Sequence, residues 1–174
     1  MAKRHTKLNR DFNLNIKVPK WYSLPGQKTL DSPVYDVPES ITKYFDNYIT
    51  AGFVKVESNY FLAPHEDSVL ENISEKYRDT LGDEYIDWLQ LTGSRKCALM
   101  IPFKGDFVNT TTDLYWKNTK ELFESFTLDK PVLFQTGGDT LHSVNNKEER
   151  ITFQLSFKET YEDIRHKISA LGFA

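Results

Sequence analysis

The chain has one cysteine, Cys97, so no disulfide can form within it, and that usage suits a reducing compartment. No stretch approaches the roughly 20 apolar residues of a membrane-spanning helix. No apolar segment follows the basic residues at the N-terminus, as a secretory signal would require. A cytoplasmic protein with no membrane partner is therefore expected. Net charge is low as well, −3 over 174 residues, so no strong field favours nucleic acid or an anionic surface. Internal repeats and low-complexity segments are absent. One local exception is residues 1–10, where Lys3, Arg4, Lys7 and Arg10 occur without an acid. A solvated basic tail is the plain expectation there, and an arm touching nucleic acid is the alternative.

Aromatic residues are plentiful, at 14%, which suits strands around a shaped cavity better than a helical bundle. The length suits one domain, 1–174, with a sizeable core. Phe12, Leu14, Ile16 and Val18 alternate with polar residues and predict a strand ended by Pro19. Ile41, Tyr44, Phe45, Tyr48 and Ile49 fall at helical spacing, with Asp36 and Glu39 placed as a capping box. Residues 53–62 read as one strand running into His65. Residues 68–94 form a helical insert broken at Gly82. Strands follow at 96–103, 113–116, 131–136, 141–145 and 150–157, with a short helix at 119–126 among them. A last amphipathic helix carries Tyr161, Ile164, Ile168 and Leu171 on one stripe, with Thr160 and Asp163 to cap it. The expected class is mainly β with flanking helices, a barrel or sandwich of antiparallel strands.

The segment LAPHEDSV places His65 and Asp67 two apart at the end of a strand, so both side chains project to one face. Two such groups rarely hold a metal alone. His5 lies in the basic stretch, and His166 lies in the last helix between Arg165 and Lys167, which suits a solvated residue. His142, on the strand LHSVN after Gly137 and Gly138, is the remaining histidine. A hairpin centred on Asn146 would set His142 opposite Arg150, eight residues on, so both would face the same way. Arg150, Thr152, Gln154 and Ser156 would then share that face, and Ile151, Phe153, Leu155 and Phe157 the other. An inward guanidinium offers two parallel donors to a carboxylate.

His65-x-Asp67, the distant His142 and Arg150-x-Thr152 resemble the motif set of the Fe(II)- and 2-oxoglutarate-dependent dioxygenases. NYFLAPHED, KCALMIPF, DLYW and PVLFQTGGDTLHSVNNKEERITFQLSF resemble their strands, so the resemblance spans residues 53–157. It implies a double-stranded β-helix, the jelly-roll barrel of that superfamily. It implies Fe(II) held by His65, Asp67 and His142, and 2-oxoglutarate held at its far carboxylate by Arg150 and Thr152. The hydroxyl partner of the arginine is commonly serine there, and here it is threonine. Dioxygen, succinate and carbon dioxide complete the implied reaction, hydroxylation of a C–H bond in a peptide side chain, amino acid or other small molecule. Arg95 and Lys96 are rival anchors for the co-substrate. Asn59 and Tyr60 are candidates to touch it, and Tyr115 and Trp116 to line the substrate pocket, with core packing as the alternative for the last two. The insert 68–94 is either a wall over the mouth or a packing element. Two other functions remain: a cupin-like metalloprotein of the same shape that does not use 2-oxoglutarate, and a non-catalytic binding module with buried histidines.

Overall fold

A computed structural model describes residues 3–67 and 74–174. Among the described residues, ten strands form two antiparallel sheets that face each other. The first carries β1 (His5–Lys7), β8 (Val132–Gln135), β5 (Cys97–Gly105), β10 (Arg150–Phe157), β3 (Thr50–Val56) and β2 (Thr29–Pro33), in that spatial order. The second carries β4 (Tyr60–His65), β9 (Thr140–Asn146), β6 (Thr111–Trp116) and β7 (Leu122–Thr127). From β3 onward the chain passes from one sheet to the other at nearly every connection, and only β6 and β7 follow one another within a sheet. That winding is a double-stranded β-helix, so the expected fold class is the one found.

Side-chain alternation decides what each face does. On β10, Ile151, Phe153, Leu155 and Phe157 point outward from the barrel into the main core, where they meet Ile164 and Ile168. The intervening Arg150, Thr152, Gln154 and Ser156 point inward to a cavity. Helix α4 (Tyr161–Ala170) closes the core, and Thr160 Oγ1 accepts a hydrogen bond from the Asp163 amide at 3.2 Å, as expected of a cap.

A short helix, α1 (Glu39–Thr42), follows Pro38. It is shorter than the spacing suggested, and no side chain caps it. In the insert, a 3₁₀ turn (Glu75–Tyr77) leads into α2 (Arg78–Leu81) and then α3 (Asp83–Gly93). Gly82, at φ 93°, makes the break between the two helices. Residues 68–73 of the expected insert lie outside the described residues. α3 packs tightly on β3: a Cβ on Gly52 would stand 2.7 Å from Trp88 Cζ2, and Trp88 Nε1 donates to the Ala51 carbonyl at 3.0 Å.

Several sequence expectations are corrected. The basic stretch is not a free tail: His5–Lys7 pair with β8, Arg4 meets Asp139 at 3.0 Å, and Leu8 is buried. Phe12–Val18 alternate in burial but form no ladder; Leu14, Ile16 and Val18 pack on the core without a strand partner. Residues 53–62 are two strands in different sheets, separated by a turn at Asn59, which sits at φ 53°. The expected helix at 119–126 is instead β7. It pairs with β6 through a turn in which the Trp116 amide donates to the Glu121 carbonyl at 2.9 Å, so long-range pairing overrides local spacing. β9 and β10 are not a hairpin either. β9 lies between β4 and β6, and β10 lies between β3 and β5 in the opposite sheet.

Candidate metal centre

The end of β4 and the middle of β9 build the centre. His65 is the cross-strand partner of His142, and the ladder shifts register between Leu62 and His65. The two imidazoles stand with centroids 4.3 Å apart, tilted by 55°. Asp67 follows just beyond the strand, with Oδ1 3.3 Å from His142 Nε2 and 3.8 Å from His65 Nε2. One ligand atom from each of the three lies within 4.8 Å of the others. Ligands about 2.1 Å from one ion and at right angles are about 3 Å apart, so the set suits a single ion with little adjustment.

Protonation fits that use. His65 Nδ1 donates to the Ala63 carbonyl at 2.7 Å, which leaves Nε2 with its lone pair toward Asp67 and His142. Burial, then the neighbouring His142, pulls the His65 pKa below its ordinary value. Burial alone would raise the Asp67 carboxyl. The charge of Arg95, with His142 and His65, overrides it and holds the group well below the usual carboxylate range. Arg95 Nε donates to Asp67 Oδ2 at 2.7 Å, and Nη1 donates to Gln154 Oε1 at 3.0 Å and Ser156 Oγ at 3.1 Å. One Asp67 oxygen is thus held by a guanidinium and the other faces the histidines.

The centre opens into a cavity between the sheets. Arg150 lies on its wall, 2% exposed. Among the described residues its Nε and Nη1 have no hydrogen-bond partner, and burial pushes its pKa down to about 10. A buried guanidinium left this way costs several kcal/mol, on the order of 3–5, until an anion meets it. Thr152 Oγ1, on the same face, accepts from Gln154 Nε2 at 3.1 Å and keeps its own proton to donate. Val54, Val56, Leu62, Val144 and Phe134 supply the apolar wall.

The structure brings His65, Asp67, His142, Arg150 and Thr152 to this one cavity. Arg150 and His142 both face inward, but from opposite sheets: the neighbours of Arg150 are Val56 and Gly105, and those of His142 are His65 and Leu114. Their even separation therefore leads to the right face through a pairing that does not exist. The rival anchors differ. Arg95 is engaged with Asp67, and Lys96 is exposed. Asn59 is an exposed turn residue, and the Tyr60 ring meets Lys28; neither lines the cavity. Tyr115 hydroxyl contacts Ser143, and Trp116 stacks on Phe123 at 3.8 Å, so these two candidates also lie away from it. Trp88, Leu89 and Thr92 of α3 do line the cavity, so this part of the insert is a wall. Sequence reasoning missed Asp31, which also lines it. The inward alternation of Thr29 and Asp31 in TLDSP was the available signal.

No protein-family model matches the sequence. No curated protein matches it either. Among solved structures, an oxidoreductase of the 2OG-Fe(II) oxygenase family from Burkholderia pseudomallei aligns over 76% of this chain and 69% of its own, at 8% identity and a TM-score of 0.47. The plu4264 protein from Photorhabdus luminescens aligns over 92% and 99%, at 13% identity and 0.39. KdgF from Halomonas sp. aligns over 89% and 99%, at 11% identity and 0.39. What the site can do is therefore read from its own residues.

Proposed function

We propose that the protein is an Fe(II)- and 2-oxoglutarate-dependent dioxygenase, an oxidoreductase that hydroxylates a C–H bond in a peptide side chain, amino acid or other small molecule. The observation that carries this reading is Arg150: a buried guanidinium with unpaired donors, facing the same cavity as a two-histidine, one-carboxylate set. Such a set with open positions suits non-haem Fe(II), and the guanidinium suits the far carboxylate of a diacid. His65, Asp67 and His142 would hold the iron, and Arg150 with Thr152 the 2-oxoglutarate. When bound, the iron with O₂ supplies the oxidising power, and 2-oxoglutarate leaves as succinate and carbon dioxide.

The chain's own residues do the placing. Ala63 fixes the His65 tautomer, and Arg95 fixes the Asp67 carboxylate so that one oxygen stays on the ligand side. Gln154 links Arg95 to Thr152, so the ligand carboxylate and the diacid anchor share one hydrogen-bonded chain. The apolar wall limits water around the reacting atoms.

Anaerobic titration with Fe(II), followed by succinate release from 2-oxoglutarate on admission of air, tests the reading. Stoichiometric iron and iron-dependent succinate are expected. Iron binding with indifference to the keto acid would instead mark a cupin-like metalloprotein, and no iron binding at all a non-catalytic module.

A further inference from the structure

We propose that the same cavity takes a second molecule bearing a cationic amino group, and that Asp31 is the residue that binds it. That this molecule is the substrate rests on the oxygenase reading; the binding itself does not.

Position comes first. β2, β3 and β10 are neighbours in one sheet, with Asp31 opposite Val54 and Val54 opposite Thr152. These three side chains stand in one row on the inner face, and Thr29, Val56 and Arg150 stand in the next. At about 4.8 Å per strand, Asp31 is about 10 Å across the sheet from Thr152. A small molecule on Asp31 can therefore lie beside a diacid held by Arg150. Trp88 and Thr92 of α3 also line the cavity.

Charge gives the chemistry. Among the described residues, the acids and guanidinium groups lining the cavity are Asp31, Asp67, Arg95 and Arg150. Asp67 and Arg95 satisfy each other at 2.7 Å. Arg150 is suited to a carboxylate. Asp31 is left over, and among the described residues its one side-chain hydrogen bond comes from a neutral phenol, Tyr85, at 2.7 Å. Burial pushes its pKa up to about 6, against the Tyr85 hydrogen bond and the Arg95 charge. The group is thus mostly ionised at neutral pH in a place that disfavours its charge, and a cation in contact would offset that cost. An ammonium has three donors to place, and Gln27 and Thr29 offer further acceptors on the same wall. The Trp88 ring adds a surface that attracts cations. A neutral or anionic group would leave Asp31 uncompensated.

The test uses n-butylammonium, with n-butanol as its neutral counterpart, in calorimetric titrations of the full chain at pH 7.5. The ammonium should bind at least tenfold more tightly than the alcohol. Asp31→Asn should remove that preference while its Fe(II) titration stays as in the wild type. Equal binding of the two probes, no ammonium binding, or a preference that survives in Asp31→Asn would overturn the proposal. Should Asp31→Asn not fold, a crystal structure of the wild type with n-butylammonium decides. Its nitrogen should lie within hydrogen-bond distance of the Asp31 carboxylate, and a site elsewhere or no bound probe overturns the assignment. Neither titration needs 2-oxoglutarate, so failure of the oxygenase reading would show separately, as absent iron binding or absent succinate.

Discussion

His65 and His142 face each other across the β4–β9 ladder, with ring centroids 4.3 Å apart, and Asp67 closes the triangle from just past the strand end. Because two of these groups sit on paired strands, their spacing is a property of the ladder rather than of a loop. The site is therefore organised before any ion arrives.

Substitutions of the three groups should separate binding from folding. His142→Ala and Asp67→Asn should each weaken Fe(II) binding by about 100-fold or more, read by anaerobic titration. Their stabilities should differ. Asp67→Asn leaves the buried Arg95 guanidinium without its carboxylate, which costs about 3–5 kcal/mol, whereas His142→Ala leaves no uncompensated charge. Denaturant midpoints of the two metal-free variants check the order.

Arg150 predicts a stability effect of opposite sign. Its unpaired donors cost the ligand-free protein, so Arg150→Met should stabilise that state by about 1–3 kcal/mol. The wild type should gain about 2.7 kcal/mol from 2-oxoglutarate at 100 times its dissociation constant, and the variant should gain almost nothing. Thermal melts with and without the diacid give both numbers.

Arg95 should behave as a positioning residue rather than an anchor. Arg95→Gln should weaken iron binding by about 10–100-fold through Asp67, with little change in 2-oxoglutarate affinity measured on the metal-free protein. A large loss of 2-oxoglutarate affinity would make Arg95 the anchor instead.

Asp31 sets a pH dependence. Burial, opposed by Tyr85 and Arg95 and reinforced by Asp67, lifts its folded pKa from 3.8 to about 6. Between those values the folded state holds a proton that the unfolded state has lost, so this group's contribution to stability falls as pH rises. At about 1.4 kcal/mol per pH unit, the full swing is about 3 kcal/mol. Asp31→Asn removes the titration, so its stability relative to the wild type should climb between pH 4 and 6 and then level off. His65 runs the other way: its lowered pKa makes the protein lose stability as pH drops below about 6.5, in both proteins alike.

The parts of the site legible in the sequence are those governed by a period of two. His65 and Asp67, two apart, both reach the cavity although Asp67 lies just past the end of β4, and the inward row from Arg150 to Ser156 follows from strand alternation on β10. Which strands are neighbours was not legible. The supposed β9–β10 hairpin is a crossover between sheets, and neither Tyr115 nor Trp116 lines the cavity. Asp31 and Arg95 reach the site only because β2 and the start of β5 flank β3 and β10, a relation set by topology rather than by local pattern. β7 departs from the helical spacing of its sequence for a related reason: Leu122–Thr127 take their conformation from pairing with β6.

Succinate release from 2-oxoglutarate by the iron-loaded wild type, set beside His142→Ala under the same conditions, tests the central claim most directly. Iron-dependent succinate from the wild type and a fall of about 100-fold or more in the variant are predicted. Equal succinate from both, or none from an iron-loaded wild type, would contradict the account.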